Sequence, residues 1–166
     1  MVSPELLRRY PFFSGMTHQH LVQLARAATE EHVPKDHIFF RDGEAITAFY
    51  LVIDGAVSID LSVTDAREEP PVTQQLLGEI QTKAVTVSTV GSGGIFGWSA
   101  LVPPTITTAG ARAVTPCRII SFNCEALQSQ FDEECRFGYI MMQKAAQVIR
   151  ERMRDLRIES LAFASQ

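Results

Sequence analysis

A chain of 166 residues, 46% hydrophobic and 20% charged, carries enough apolar material for one domain with a substantial core. Its formal net charge of −4 argues against a nucleic-acid surface, which needs a basic stripe to displace counterions from phosphates. The first ten residues carry charges where a secretion signal needs an apolar run, and no apolar segment approaches membrane-spanning length. Three cysteines, Cys117, Cys124 and Cys135, lack any C-x-x-C spacing, so free thiols in a reducing cytoplasm are expected rather than a disulfide framework or a zinc site.

Two helical segments are predicted first, Pro4 to Tyr10 and Thr17 to Ala28, separated by Pro11-Phe12-Phe13-Ser14-Gly15. Thr17 suits an N-cap, with Leu21, Leu24, Ala25 and Ala28 at helical spacing behind it. Val33-Pro34-Lys35-Asp36 is turn chemistry, followed by a short strand over His37 to Phe40 and a second turn at Arg41-Asp42-Gly43-Glu44. A strand over Ala48 to Ile53 meets Asp54-Gly55, a strong hairpin signal. Beyond it Val57, Ile59, Leu61 and Val63 alternate with Ser58, Asp60 and Ser62, as in a strand with one buried and one wet face. An exposed polar loop is expected over Thr64 to Thr73, then strands over Gln74–Ile80, Ala84–Val90, Thr107–Val114 and Arg118–Phe122. Many short strands with Gly and Pro turns indicate an antiparallel sandwich or barrel of the jelly-roll kind.

From Cys124 the period becomes helical. A first helix is predicted over about Glu125 to Phe131, with Asp132 capping a longer one to roughly Ala162. Met142, Ala146, Ile149, Met153 and Leu156 follow a 4-3-4-3 spacing, an a/d seam suited to a partner helix. Arg150, Glu151, Arg154, Asp155 and Arg157 give the opposite face mixed charges suited to solvent. The seam either pairs with a second copy in an isologous dimer or folds back over its own sheet; its length favours the dimer.

The order of these elements, with Pro11-Phe12-Phe13-Ser14-Gly15-Met16, Val33-Pro34-Lys35-Asp36-His37-Ile38-Phe39, Gly43-Glu44 and Gly55-Ala56-Val57, resembles the cyclic-nucleotide-binding domain of catabolite-activator-type regulators. The resemblance implies a fold that is mainly β with flanking α: an antiparallel jelly-roll β-sandwich, N-terminal helices and a long C-terminal helix. On this reading residues 1–166 are a single domain, with helices over 1–30, the jelly roll over 31–123 and helices over 124–166. It further implies a regulatory ligand sensor in which an effector shifts the C-terminal helix for a downstream protein to read. Regulators of that type continue into a helix-turn-helix DNA reader, for which this sequence leaves no room, so no direct DNA binding by this chain is expected.

Within that resemblance, residues Gly91 to Thr108 occupy the place of the phosphate-binding cassette. The family's pattern there is Gly-Glu-x-Ala-Leu followed by an arginine, the glutamate taking the ribose hydroxyl and the arginine the cyclic phosphate. This chain has Gly97, Trp98, Ser99, Ala100 and Leu101, then Thr107 and Thr108, so both charged contacts are replaced. Those seven residues are the candidate ligand site. Threonine cannot substitute for a bidentate arginine on phosphate, so another small-molecule effector is expected in place of cyclic AMP or cyclic GMP. Trp98 either packs into the vacated pocket, leaving a dimerisation or protein-interaction module, or stacks on an apolar ligand. Arg112 falls on the strand face opposite to Thr107 and does not replace the missing arginine.

No enzyme is expected. His18 and His20, two apart on a helix, diverge by about 200° and cannot share a metal. His32 and His37 flank a turn without a matching carboxylate-and-histidine set, and no nucleophile–histidine–acid set stands out. Cys117 and Cys124, in apolar surroundings, are expected to pack rather than react.

Overall fold

The structure, a computed structural model, describes residues 1–64 and 82–164. The strand read at 74–80 and all but the first residue of the loop read at 64–73 lie outside the described residues.

Local chemistry starts the chain in helices. Ser3 caps α1 (Pro4–Arg8) by accepting from the Leu6 N–H, and Pro4 sits in the first turn, where its missing N–H costs nothing. Thr17 caps α2 (His18–Arg26) in a capping box: its hydroxyl accepts from the His20 N–H while His20 Nδ1 accepts from the Thr17 N–H. One face of α2 buries Leu21, Leu24 and Ala25.

Among the described residues eight strands follow: β1 (Ala28–Val33), β2 (Ile38–Phe40), β3 (Ala48–Asp54), β4 (Val57–Thr64), β5 (Thr82–Val90), β6 (Ile95–Phe96), β7 (Gly110–Ala113) and β8 (Cys117–Asn123). They form two antiparallel four-stranded sheets, ordered β1-β8-β3-β6 and β2-β7-β4-β5. This is the two-sheet sandwich with flanking helices expected from the sequence. The core holds Leu51, Val57, Ala113, Ile119, Ile120 and Phe122, all fully buried, with Ile119 and Ile120 on opposite faces of their sheet. Phe122 stacks on Phe49 with ring centroids 4.6 Å apart, and Phe13 closes on its other side at 5.6 Å, fixing the N-terminal turn to the sheet.

Asp54-Gly55 is not a hairpin. It joins β3 to β4, which belong to different sheets and pair with other strands. Gly55 turns this corner at φ +97° with Pro116 and Cys117 pressed against it, which is why only the turn chemistry, and not the pairing, follows from the dipeptide. The expected alternation on β4 holds at its start, where Val57 is fully buried, and fades at Leu61 and Val63, which are exposed. On the nominally wet face Ser58 is buried, its hydroxyl donating to Asp60 Oδ2.

Asn123 caps α3 (Cys124–Glu133) through its side-chain oxygen on the Ala126 N–H. The long helix α4 (Cys135–Ala164) begins after a break at Glu134. Asp132 is therefore not the cap of the long helix; it lies inside α3 and accepts from Gln128 Nε2. The break falls where Phe131 and Phe137, both buried, meet edge-on at 5.0 Å across the corner. The buried His20 ties this corner to α2, its Nε2 2.8 Å from Glu134 Oε1 and its ring stacked on Phe137 at 4.7 Å.

All three cysteines are free, Cys117 and Cys124 buried and Cys135 exposed. Burial pushes the Cys124 thiol up to about 11, against a small opposing effect of the Phe49 backbone. At pH 8 only about one part in a thousand of it is thiolate, the reactive form. A disulfide-exchange reagent at that pH is expected to titrate one thiol rapidly, Cys135, and all three only after denaturation. Fast loss of Cys124 in the folded protein, followed by mass spectrometry, would contradict this packing.

Candidate functional site

The cassette begins where β6 ends. Gly97 has φ +75°, and a Cβ there would lie 3.0 Å from Tyr50 Cδ2 and 3.2 Å from the Ala48 carbonyl, so the turn needs glycine both for its backbone angle and for its approach to β3. Beneath it Tyr50 stacks on Phe96 at 4.8 Å, and Phe39 meets Phe96 edge-on at 4.9 Å. Burial raises the Tyr50 pKa above its usual value, with a smaller push from Glu31 in the same direction. Trp98–Leu101 then forms one 3-10 turn, in which the Ala100 N–H is committed to the Gly97 carbonyl.

This turn borders a cavity of about 190 Å³. Gly97, Trp98, Ser99, Thr107 and Thr108 line it, whereas Ala100 and Leu101 turn into the core and support the loop from behind. Thr107 is present but already employed. Its buried Oγ1 donates to the Arg41 carbonyl at 2.6 Å and accepts from the Glu44 N–H at 3.0 Å, suturing the Arg41–Glu44 turn to the cassette. Arg112 does not line the cavity; it is ion-paired to Asp36 at 2.8 Å and lies 3.8 Å from Asp60.

The far wall comes from residues that the cassette pattern does not reveal. Phe40, Ile59, Leu61 and Val87 supply apolar surface, and α4 supplies Arg152, Asp155 and Leu156. Asp155, read from sequence as part of a solvated face, is exposed and also borders the cavity. Arg152 is half-buried, donating from Nη1 to Ser88 Oγ at 2.9 Å and from Nη2 to the Ile95 carbonyl at 3.4 Å. Burial lowers its pKa below the usual guanidinium value, against the opposing pull of Asp155 and Glu151. The sequence signal lay in α4, where Met141, Ala145, Val148 and Arg152 repeat at 4-3-4, one residue before the expected seam. Met141 and Ala145 are buried and Val148 packs on the core, so an arginine closes the row that faces the domain.

The seam row itself faces outward, apart from Leu156, which also borders the cavity. Met142, Met153 and Leu156 are 38%, 47% and 44% exposed, Ala146 is exposed and Ile149 half-buried. Thus α4 carries two parallel rows, one against its own roll and one uncovered.

A profile of the cyclic nucleotide-binding domain matches residues 30–134, well over half of the chain. The chain belongs to the cyclic nucleotide-binding domain family. Among curated relatives, the CRP-like cAMP-activated global transcriptional regulator of Mycobacterium tuberculosis is 25% identical over 125 residues, covering 75% of this chain and 49% of that protein. The chain thus spans about half the length of the curated relatives it matches. A putative cyclic nucleotide-binding protein from Geobacter metallireducens superposes with a TM-score of 0.75 at 26% identity, over 92% of this chain and 99% of that one. The catabolite activator protein of Thermus thermophilus shares the fold, with a TM-score of 0.65 at 20% identity, over 92% of this chain and 63% of that one. Membership in the cyclic nucleotide-binding domain family makes this a regulatory, ligand-sensing type of domain. The named relatives are regulators and binding proteins, not enzymes. Among the described residues no group of three or more His, Cys, Asp or Glu side chains is placed to hold a metal ion, and no helix is long and apolar enough to cross a membrane.

Proposed function

We propose that this cyclic nucleotide-binding domain senses a small molecule other than cyclic AMP or cyclic GMP, and passes the signal through α4 to a second copy of itself and to a downstream protein. One observation carries the reading: the cavity is walled by the cassette and by α4 together, so an occupant contacts both the recognition loop and the helix. A ligand that binds better with α4 in one placement favours that placement. The argument against cyclic nucleotides is chemical. Trp98 stands where the family's cassette has its glutamate, and Thr107, in place of the arginine, has its hydroxyl bound to the Arg41–Glu44 turn. Losing one charge-assisted contact to phosphate costs about 2–3 kcal/mol, roughly thirty- to hundred-fold in affinity.

The test uses the chain's single tryptophan, Trp98, which lines the cavity. Its fluorescence and the melting temperature are followed against cyclic AMP, cyclic GMP and a panel of metabolites of differing charge. The expected result is no response to either cyclic nucleotide below millimolar concentration and a saturable response to another class. Micromolar binding of cyclic AMP would overturn the ligand assignment. Silence from every class would favour the reading in which Trp98 closes the pocket of a pure interaction module.

A further inference from the structure

Among the described residues, the cavity combines an apolar lining with one cation. Phe40, Ile59, Leu61 and Leu156 offer hydrocarbon surface, and Arg152 is the cation among the described lining residues. Arg152 makes hydrogen bonds to Ser88 and the Ile95 carbonyl and has no ion pair to a carboxylate among the described residues. A guanidinium carries five N–H donors in a planar fork, more than those two acceptors use, and the fork matches a carboxylate in bidentate fashion. We propose that the cavity takes a small apolar monocarboxylate whose carboxylate pairs with Arg152, so that the anion is gripped by the long helix and not by the cassette.

Two features choose a monocarboxylate over a phosphate. Asp155 borders the same cavity, and Glu151 and Asp155 both act electrostatically on Arg152, so the local field holds one positive charge beside two negative ones. The two carboxylates repel any anion, a dianion about twice as strongly as a monoanion, and the one guanidinium offers a single bidentate partner, which a carboxylate fills. The volume, about 190 Å³, is below the ~300 Å³ at which drug-sized sites begin, which suits a compact acid rather than a nucleotide. The placement also connects ligand to output. Arg152 lies three residues after Ile149, four before Leu156 and beside Met153, so a carboxylate that draws it from Ser88 acts on the helix bearing the uncovered row.

This inference rests on the sensor reading above. Octanoate and its neutral counterpart octanamide are titrated against the wild-type chain, Arg152→Met and Arg152→Lys, with Trp98 fluorescence and melting temperature as readouts and inorganic phosphate as a further probe. Octanoate is expected to saturate in the wild type and to bind at least about ten-fold more tightly than octanamide. Arg152→Met should remove that preference and Arg152→Lys keep part of it. Because the acid–amide comparison is made in the wild type, it stands even if a variant fails to fold. Equal binding of acid and amide, undiminished acid binding by Arg152→Met, phosphate binding as tight as octanoate, or no octanoate binding at millimolar concentration would each overturn the proposal. If a cationic or neutral compound perturbs Trp98 while octanoate does not, the sensor reading survives and the carboxylate assignment fails. If no compound of any class does, both fail.

Discussion

Gly55→Ala is expected to lose about 2–5 kcal/mol of stability, whereas Gly43→Ala loses only about 1–2 kcal/mol. Both glycines have positive φ, +97° and +80°, so both substitutions force a side chain into a disfavoured backbone region, at a cost of about 1–2 kcal/mol. The difference is space. A Cβ at Gly43 meets nothing within 4 Å, while one at Gly55 falls 2.6 Å from the Pro116 carbonyl oxygen and 2.7 Å from Cys117 Sγ. Two of those contacts are backbone or a fully seated thiol, and moving them adds an overpacking cost of about 1–3 kcal/mol. Denaturant unfolding of both variants beside the wild type measures the gap. Equal losses would mean that the corner between the two sheets yields more easily than its packing implies.

The second large effect concerns the uncovered row on α4. Ile149→Asp with Met153→Asp is expected to turn a dimer into a monomer, weakening association by at least about a thousand-fold. Each carboxylate buried in an apolar seam costs about 2 kcal/mol or more, and two of them exceed the ~4 kcal/mol that a thousand-fold change requires. Neither side chain belongs to the row that packs on the domain, Met141, Ala145 and Val148, so the roll should keep its own fold. Sedimentation velocity reads the oligomeric state, and circular dichroism checks the fold. A monomeric wild type, or a variant that still dimerises, would remove the helix from the proposed signalling route.

Much of this architecture was legible in local residues. Thr17 caps a helix because its hydroxyl reaches the N–H three residues on, a feature written in four consecutive positions. The turn at Gly97 is legible for the same reason, since the glycine and the 3-10 turn after it are contiguous. What escaped was non-local. β1 was not read as a strand because Glu30, Glu31 and His32 break any alternation; it exists as an edge strand whose pairing with β8 is supplied by residues some ninety positions later. Asp54-Gly55 named a turn but not which sheet the chain would enter next. Arg152 escaped because it falls next to an evident seam, and only the packed structure separates the row that touches the roll from the row that does not.

The break at Glu134 gives the long helix a geometry of leverage. Glu134 is pinned to the buried His20, while α4 extends from the next residue through Arg152 and the uncovered row to Ala164. At 1.5 Å per residue, Arg152 sits about 27 Å from that fulcrum and the described end of the helix about 45 Å. A tilt of only about 5° would displace Arg152 by about 2 Å, enough to break a hydrogen bond, and the far end by about 4 Å. On the proposed signalling route, a small rearrangement at the cavity would thus be enlarged toward the helix tip, at the cost of repacking Met141 and Ala145 against the roll.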